Sequence, residues 1–185
     1  MTNQKFNQLA ELGAGEFEHL DGTLTEHLLG TKQLLQQWGA SSVLQDAGLY
    51  HAAYGTAGFD ENFVGTDQRN TIAVIIGKQA EEIVYQYCAC DREYYFTRIG
   101  VEDNPLFKNR FTGEHYHLPF AMVKNFCELT AANETEIAID NPAFIAEHGK
   151  GISKLLAQMT PYLSVNAISK YQEVFDNYDL NIQDN

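Results

Sequence analysis

His19, His27 and His51 are the residues of this chain whose type and spacing most invite chemistry. A neutral imidazole can ligate a metal through either ring nitrogen, and it titrates near neutral pH, so a cluster suits metal binding or general acid–base work. His19 and His27 lie eight positions apart in FEHLDGTLTEHLLGT, on either side of a Gly22-Thr23 break. On one unbroken helix they would stand about 12 Å apart along the axis, too far to share an ion. The break lets His19 fold back over the first helical turn. The plainer alternative is a solvated His19 in a loop and a helix-face His27 satisfied by a neighbour.

The elements that must position these rings can be read from spacing. Thr23-Leu24-Thr25-Glu26 has the form of a capping box. Leu24, His27, Leu28, Thr31, Leu34, Leu35 and Trp38 then recur at three- and four-residue steps, one helical face that Gly39 ends. Ser41 or Ser42 caps a second helix, SVLQDAGLYHAAY, stopped by Gly55. His27 lies eleven residues before Trp38 and His51 eleven after Ala40, so each stands about 16 Å from the same turn. Helices joined so briefly run antiparallel, which sets the two imidazoles level on apolar faces. Facing each other in a core, they suit a metal better than they suit one another.

Two further helices follow over TDQRNTIAVIIGKQAEEIVYQYCACDR, divided at Gly77. From Arg92 to His117 the helical pattern stops. EYYFTRIG is expected to be a short strand or extended arm, and VEDNPLFKNRFTGEHYH a long loop punctuated by Pro105 and Gly113, its part from Pro105 to His117 acting as a mobile lid. Helix resumes over PFAMVKNFCELTAANETEIA after Pro119. NPAFIAEHGKGISKLLAQMTPYLS is expected as two pieces split by its glycines, and NAISKYQEVFDNYD is a last helix. These readings make residues 1–185 a single all-α domain.

Composition narrows the partners. Twelve Lys and Arg against 25 Asp and Glu give a net charge of −13, which argues against nucleic acid or an anionic membrane surface but not against an anion held in a local basic pocket. There is no apolar run long enough to span a bilayer, and MTNQKFNQLAELGAGEF lacks the apolar core of a signal peptide. Cys88, Cys90 and Cys127 have no CxxC spacing and read as buried thiols in a reducing cytoplasm; a soft metal on the CxC is the alternative. A small-molecule partner is expected, with a homodimer left open.

The stretch EHLLGTKQLLQQWGASSVLQDAGLYHAAYGT resembles the first two elements of the HD superfamily of metal-dependent phosphohydrolases. More closely, GTLTEHLLGT, WG, AGLYHAAYGTAGF, IGKQAEEIVY, DR, NRFTG and AANETE are similar to the pattern of domain of unknown function 6817, over roughly residues 15 to 140. The resemblance implies an HD-like helical bundle with one His from a helix, a His-Asp pair from the next and a later Asp. His27 and His51 fall at the two histidines. Ala52 stands where the paired aspartate would be, Asn133 falls at the late aspartate, and no carboxylate follows His51 before Asp60. His27, His51 and Asn133 alone form a neutral set. Adding His19 and either Glu134 or Glu136 restores a shell fit for a single Zn, Fe or Mn ion.

Other candidates complete the expectation. Glu134 or Glu136 would serve as general base, and Tyr54, three residues after His51, as a proton donor. Arg110 in NRFTG is a substrate clamp or a residue pinning its turn; Arg92 meets an anionic substrate, or Asp91-Arg92 is a surface ion pair or a helix C-terminal cap. His115 and His117 alternate through EHYH and offer a second metal site or exposed loop histidines. The expected function is hydrolysis of a small anionic metabolite by metal-activated water. The alternatives are a degenerate binding domain without turnover, a metal-free acid–base catalyst and oxygen chemistry on iron.

Overall fold

Leu24, Leu28, Leu34 and Leu35 are buried along one side of helix α2 (Leu24–Gln37), as their spacing requires. Burying each leucine contributes about 1.5–3 kcal/mol, which outweighs the mid-helix Gly30. These and the following details come from a computed structural model that describes residues 2–12, 18–19, 22–57 and 63–182. A short ladder precedes α2: β1 (Glu18–His19) pairs antiparallel with β2 (Gly22–Thr23), setting His19 opposite Gly22. The side chains of Thr23 and His19 lie outside the described residues, and so does Asp60.

Gly39 takes φ +79° and turns the chain into α3 (Ser42–Tyr50), whose first turn is capped by Ser41 Oγ accepting from Leu44 N–H (3.3 Å). Passing from Lys32 back to His27 along α2 moves from Asp46 forward to His51 beside α3, so the pair is antiparallel. Gly48 permits the close crossing, because a Cβ there would come within 2.5 Å of Leu35 Cδ1. Helix α3 stops at Tyr50 rather than running to Tyr54; His51 is its C-cap and residues 51–54 are turn. Helix α1 (Thr2–Glu11) docks on this pair through Lys5, whose carbonyl accepts from the Tyr50 hydroxyl (2.7 Å).

Helices α4 (Arg69–Ile76) and α5 (Lys78–Cys88) are divided at Gly77, which adopts φ +89°. The segment after Cys90 departs from the extended arm expected of it. Asp91 accepts from Tyr94 N–H (3.1 Å) and starts a one-turn helix, α6 (Arg92–Tyr95). The expected long loop is a β-hairpin, with β3 (Leu106–Lys108) antiparallel to β4 (His115–His117) and Phe107 opposite Tyr116. Asn109 organises its turn by accepting from Phe111 N–H (2.9 Å) and Thr112 N–H (3.2 Å), the Asx geometry of a local turn. Buried Phe107 and the Arg110 N–H bond to the Ala89 carbonyl (2.8 Å) fasten the hairpin to the end of α5.

Helix α7 (Phe120–Ala138) packs on α2, α3, α5, α8 and α9 and forms the centre of the bundle. Helix α8 (Pro142–Met159) is one piece, not two. Asn141 caps it, Pro142 opens it, and Gly149 packs on Ile145 and Phe175 within it. Helix α9 (Val165–Ile182) closes the described chain. Helix accounts for most of the described residues, which makes the architecture all-α. Among them no helix is long and apolar enough to cross a membrane.

The three cysteines are unpaired and buried. Burial pushes their thiols up, that of Cys88 to about 12, and Cys88 donates its S–H to the His51 carbonyl (3.0 Å). At pH 8 an aromatic disulfide reagent is therefore expected to leave the folded protein unlabelled and to titrate all three thiols after denaturation. Rapid labelling of the native state would contradict the packing around α5 and α7.

Candidate functional site

Antiparallel α2 and α3 bring His27 and His51 together, and α7 closes the third side with Asn133 and Glu136. The imidazoles meet edge to face, their centroids 5.1 Å apart. Nε2 of His27 lies 3.3 Å from Nε2 of His51 and 3.1 Å from Oδ1 of Asn133. All three residues are nearly closed to solvent, with exposures of 8%, 2% and 6% for His27, His51 and Asn133.

The outward atoms define what the inward ones can do. His51 Nδ1 donates to the Gly48 carbonyl (2.7 Å), so its neutral ring presents a lone pair at Nε2. Asn133 Nδ2 donates to Glu134 Oε1 (3.1 Å), which fixes the amide with its oxygen facing His27. His27 Nδ1 donates to the Glu136 carboxylate in a close contact. Gly30 is what leaves space for that carboxylate, because a Cβ at this position would collide with the end of Glu136. Three acceptors thus converge, and two facing imidazole lone pairs repel unless a positive charge lies between them. A proton on His27 Nε2 or a metal ion meets that requirement. Donors about 2.1 Å from a tetrahedral ion lie about 3.4 Å from each other, close to the separations observed. Among the described residues no group of three or more His, Cys, Asp or Glu side chains is arranged to hold a metal ion; here the third donor is an amide oxygen.

The remaining candidates take varied positions. Glu134 stands between Asn133 and Arg92, 3.9 Å from the guanidinium. Arg92 does not pair with Asp91, which binds Lys108 (2.7 Å) and is held below the usual carboxylate range chiefly by that bond. Instead Arg92 donates to the Tyr87 hydroxyl (3.2 Å), and the Tyr87 ring in turn stands edge-on to His51 at 5.5 Å. Arg110 donates from Nε to the Cys88 carbonyl (2.7 Å) and lies over Phe111, anchoring the hairpin to α5. Tyr54 donates to Glu81 (2.9 Å), and burial followed by the Glu81 charge pushes its pKa well up, so its proton is held there. His115 and His117 are exposed on one face of β4, with His115 against Tyr94.

Sequence reasoning did not single out Arg69, Glu81 or Tyr87. Arg69 forks onto Glu81 (2.6 and 2.8 Å), reaches Glu82 and covers the Tyr85 ring, joining α4 to α5 beside Tyr54. No local spacing marks that network, since its members come from three separate segments. Tyr87 reads in the sequence as a core aromatic, and only the packing shows it touching both His51 and Arg92.

Residues 8–92 match the model of a family described as Domain of unknown function (DUF6817). The matched stretch contains His19, His27, His51, Tyr54 and Arg92 and ends before Asn133, Glu134 and Glu136. No curated protein matches the chain.

Proposed function

We propose that this is a small HD-like enzyme that hydrolyses an anionic metabolite at a centre formed by His27, His51 and Asn133, with a single Mn, Fe or Zn ion as cofactor. The supporting observation is the convergence of two Nε2 atoms and one Oδ1 atom at 3.3 and 3.1 Å, with the far side of each group already engaged in a hydrogen bond. When bound, such an ion supplies a Lewis acid and lowers the pKa of its water toward neutrality.

The residues around the centre have separate tasks. Glu136 orients the His27 ring, while the Gly48 carbonyl fixes the tautomer of His51. Glu134 aims the Asn133 oxygen inward from behind that amide and, as the carboxylate one residue on, is the candidate to accept a proton from water. Arg92 draws the substrate's anionic group toward the same place. His19, whose side chain lies outside the described residues, would be the further nitrogen ligand; its backbone lies in β1, just ahead of α2. With Ala52 and Asn133 in place of carboxylates the inner set is neutral, so the ion is held weakly and leaves readily on purification. Three unpaired thiols support placement in the cytoplasm.

One observation favours a second reading without metal. The Glu136 carboxylate on Nδ1 holds the His27 ring with Nε2 between His51 and Asn133, where it can work as a general acid–base. Protein prepared without chelator or His tag, loaded in turn with Mn, Fe and Zn and then desalted, distinguishes the two. About one retained ion per chain with turnover of a phosphoester panel is expected. Turnover without metal transfers the chemistry to His27, whereas retained metal without turnover moves it to oxygen chemistry or binding alone.

A further inference from the structure

Beside the histidine centre, α6, α7 and α8 line an open cleft of about 1100 Å³. Its walls are largely apolar, formed by Phe96, Phe144, Ile152 and Leu155, and Arg92 and Glu134 stand in its lining. Arg92 is only partly committed. One nitrogen reaches the Tyr87 hydroxyl, and Glu134 forms an ion pair with the guanidinium at 3.9 Å without a hydrogen bond. A guanidinium carries several further N–H donors in a flat fork suited to phosphate or carboxylate oxygens.

Gly151 adds an independent observation. It sits inside α8, where glycine disfavours the helix, yet its conformation is ordinary and a Cβ there would meet nothing within 4 Å. Gly149, two residues earlier, is glycine because it packs against Ile145 and Phe175. No such packing explains Gly151, which lines the cleft. A side chain at this position would enter the open space.

We propose that this cleft binds an amphiphilic anion, with an apolar chain or ring lying between α6 and α8 and a phosphate at Arg92. The placement deepens the proposed function and rests on it in one respect, the delivery of the phosphate toward His27 and His51. Two contacts link Arg92 to that centre: Tyr87 touches His51, and Glu134 accepts from Asn133. A small polar phosphate would leave the apolar walls wet, whereas an alkyl or aryl phosphate covers them and gains by their burial.

The probes are n-octyl phosphate, inorganic phosphate and 1-octanol, titrated calorimetrically against the whole chain without added metal. Octyl phosphate is expected to bind at least about tenfold more tightly than either part alone, since each part lacks one of the two contributions. Arg92→Gln should weaken octyl phosphate by about tenfold and leave octanol unchanged. Because Arg92 also supports Tyr87, Gly151→Leu provides the second variant: it suits a helix better, so its thermal melt should hold or rise while octyl phosphate binding is lost. Equal affinities for octyl and inorganic phosphate, or full octyl phosphate binding by Gly151→Leu, overturns the assignment. Octyl phosphate binding with no metal retained and no turnover in the wild type keeps the cleft and rejects the proposed function. Metal retention and turnover without octyl phosphate binding does the reverse.

Discussion

His51→Ala is expected to lose metal retention and turnover together. The substitution removes one of the two imidazole nitrogens that meet at 3.3 Å and leaves an amide as the second donor beside His27. The fall should exceed the roughly 10–100-fold cost of disturbing a group behind a ligand. Stability will change as well, because the Gly48 carbonyl loses its donor inside a site that is nearly dry, a penalty of about 1–3 kcal/mol. His51→Gln keeps most of the volume and an N–H while removing the aromatic nitrogen, so it separates folding from function. His117→Ala, on the exposed face of β4, should change neither quantity. If His51→Gln melts like the wild type and retains both metal and activity, the centre lies elsewhere.

The second large effect is expected at a residue that touches no ligand. Gly30→Ala should cut turnover about 10–100-fold while the protein melts at the same temperature or higher. Alanine favours a helix interior by about 1 kcal/mol over glycine, so the backbone gains. The new methyl collides with the Glu136 carboxylate, a flexible group that can move away, and His27 then loses the partner on Nδ1. Glu136→Gln should reproduce most of the loss without the steric change. A Gly30→Ala enzyme of undiminished activity would mean that the Glu136 contact has no part in the chemistry.

How legible these features were depended on how local they are. The α2–α3 hairpin and the level placement of His27 and His51 follow from leucine spacing, Gly39 and a serine cap, all within thirty residues of sequence. Asn133 could be placed only through resemblance, since nothing near it shows which face of α7 meets α2. The role of Glu136 depends on the rotation of α7 and on the space left by Gly30, two facts from opposite ends of the chain. Helix α6 was readable in principle, because Asp91-Arg92-Glu93 has the capping and charge pattern of a helix start. The β3–β4 hairpin was harder, having strands of three residues and a turn organised by an asparagine side chain. Gly149 and Gly151 suggested a break in α8, but the cost of glycine is small against the cap at Asn141 and the packing of Leu156 and Met159.

The contacts from His27 to Asn133 and Glu136 span 106 and 109 positions of sequence, whereas His27 and His51 are 24 apart. This separation imposes an order on synthesis. The paired histidine helices emerge from the ribosome with their turn already local, and they can dock long before α7 exists. Until α7 arrives, two imidazole nitrogens face one another beside a groove that the later helix will fill, and no carboxylate holds the first ring. Chain elongation therefore sets the earliest moment at which the centre can mature. Any stall between Cys90 and Phe120 would leave a nascent chain with two of its three inward donors in place and the face that α7 covers open to chaperones.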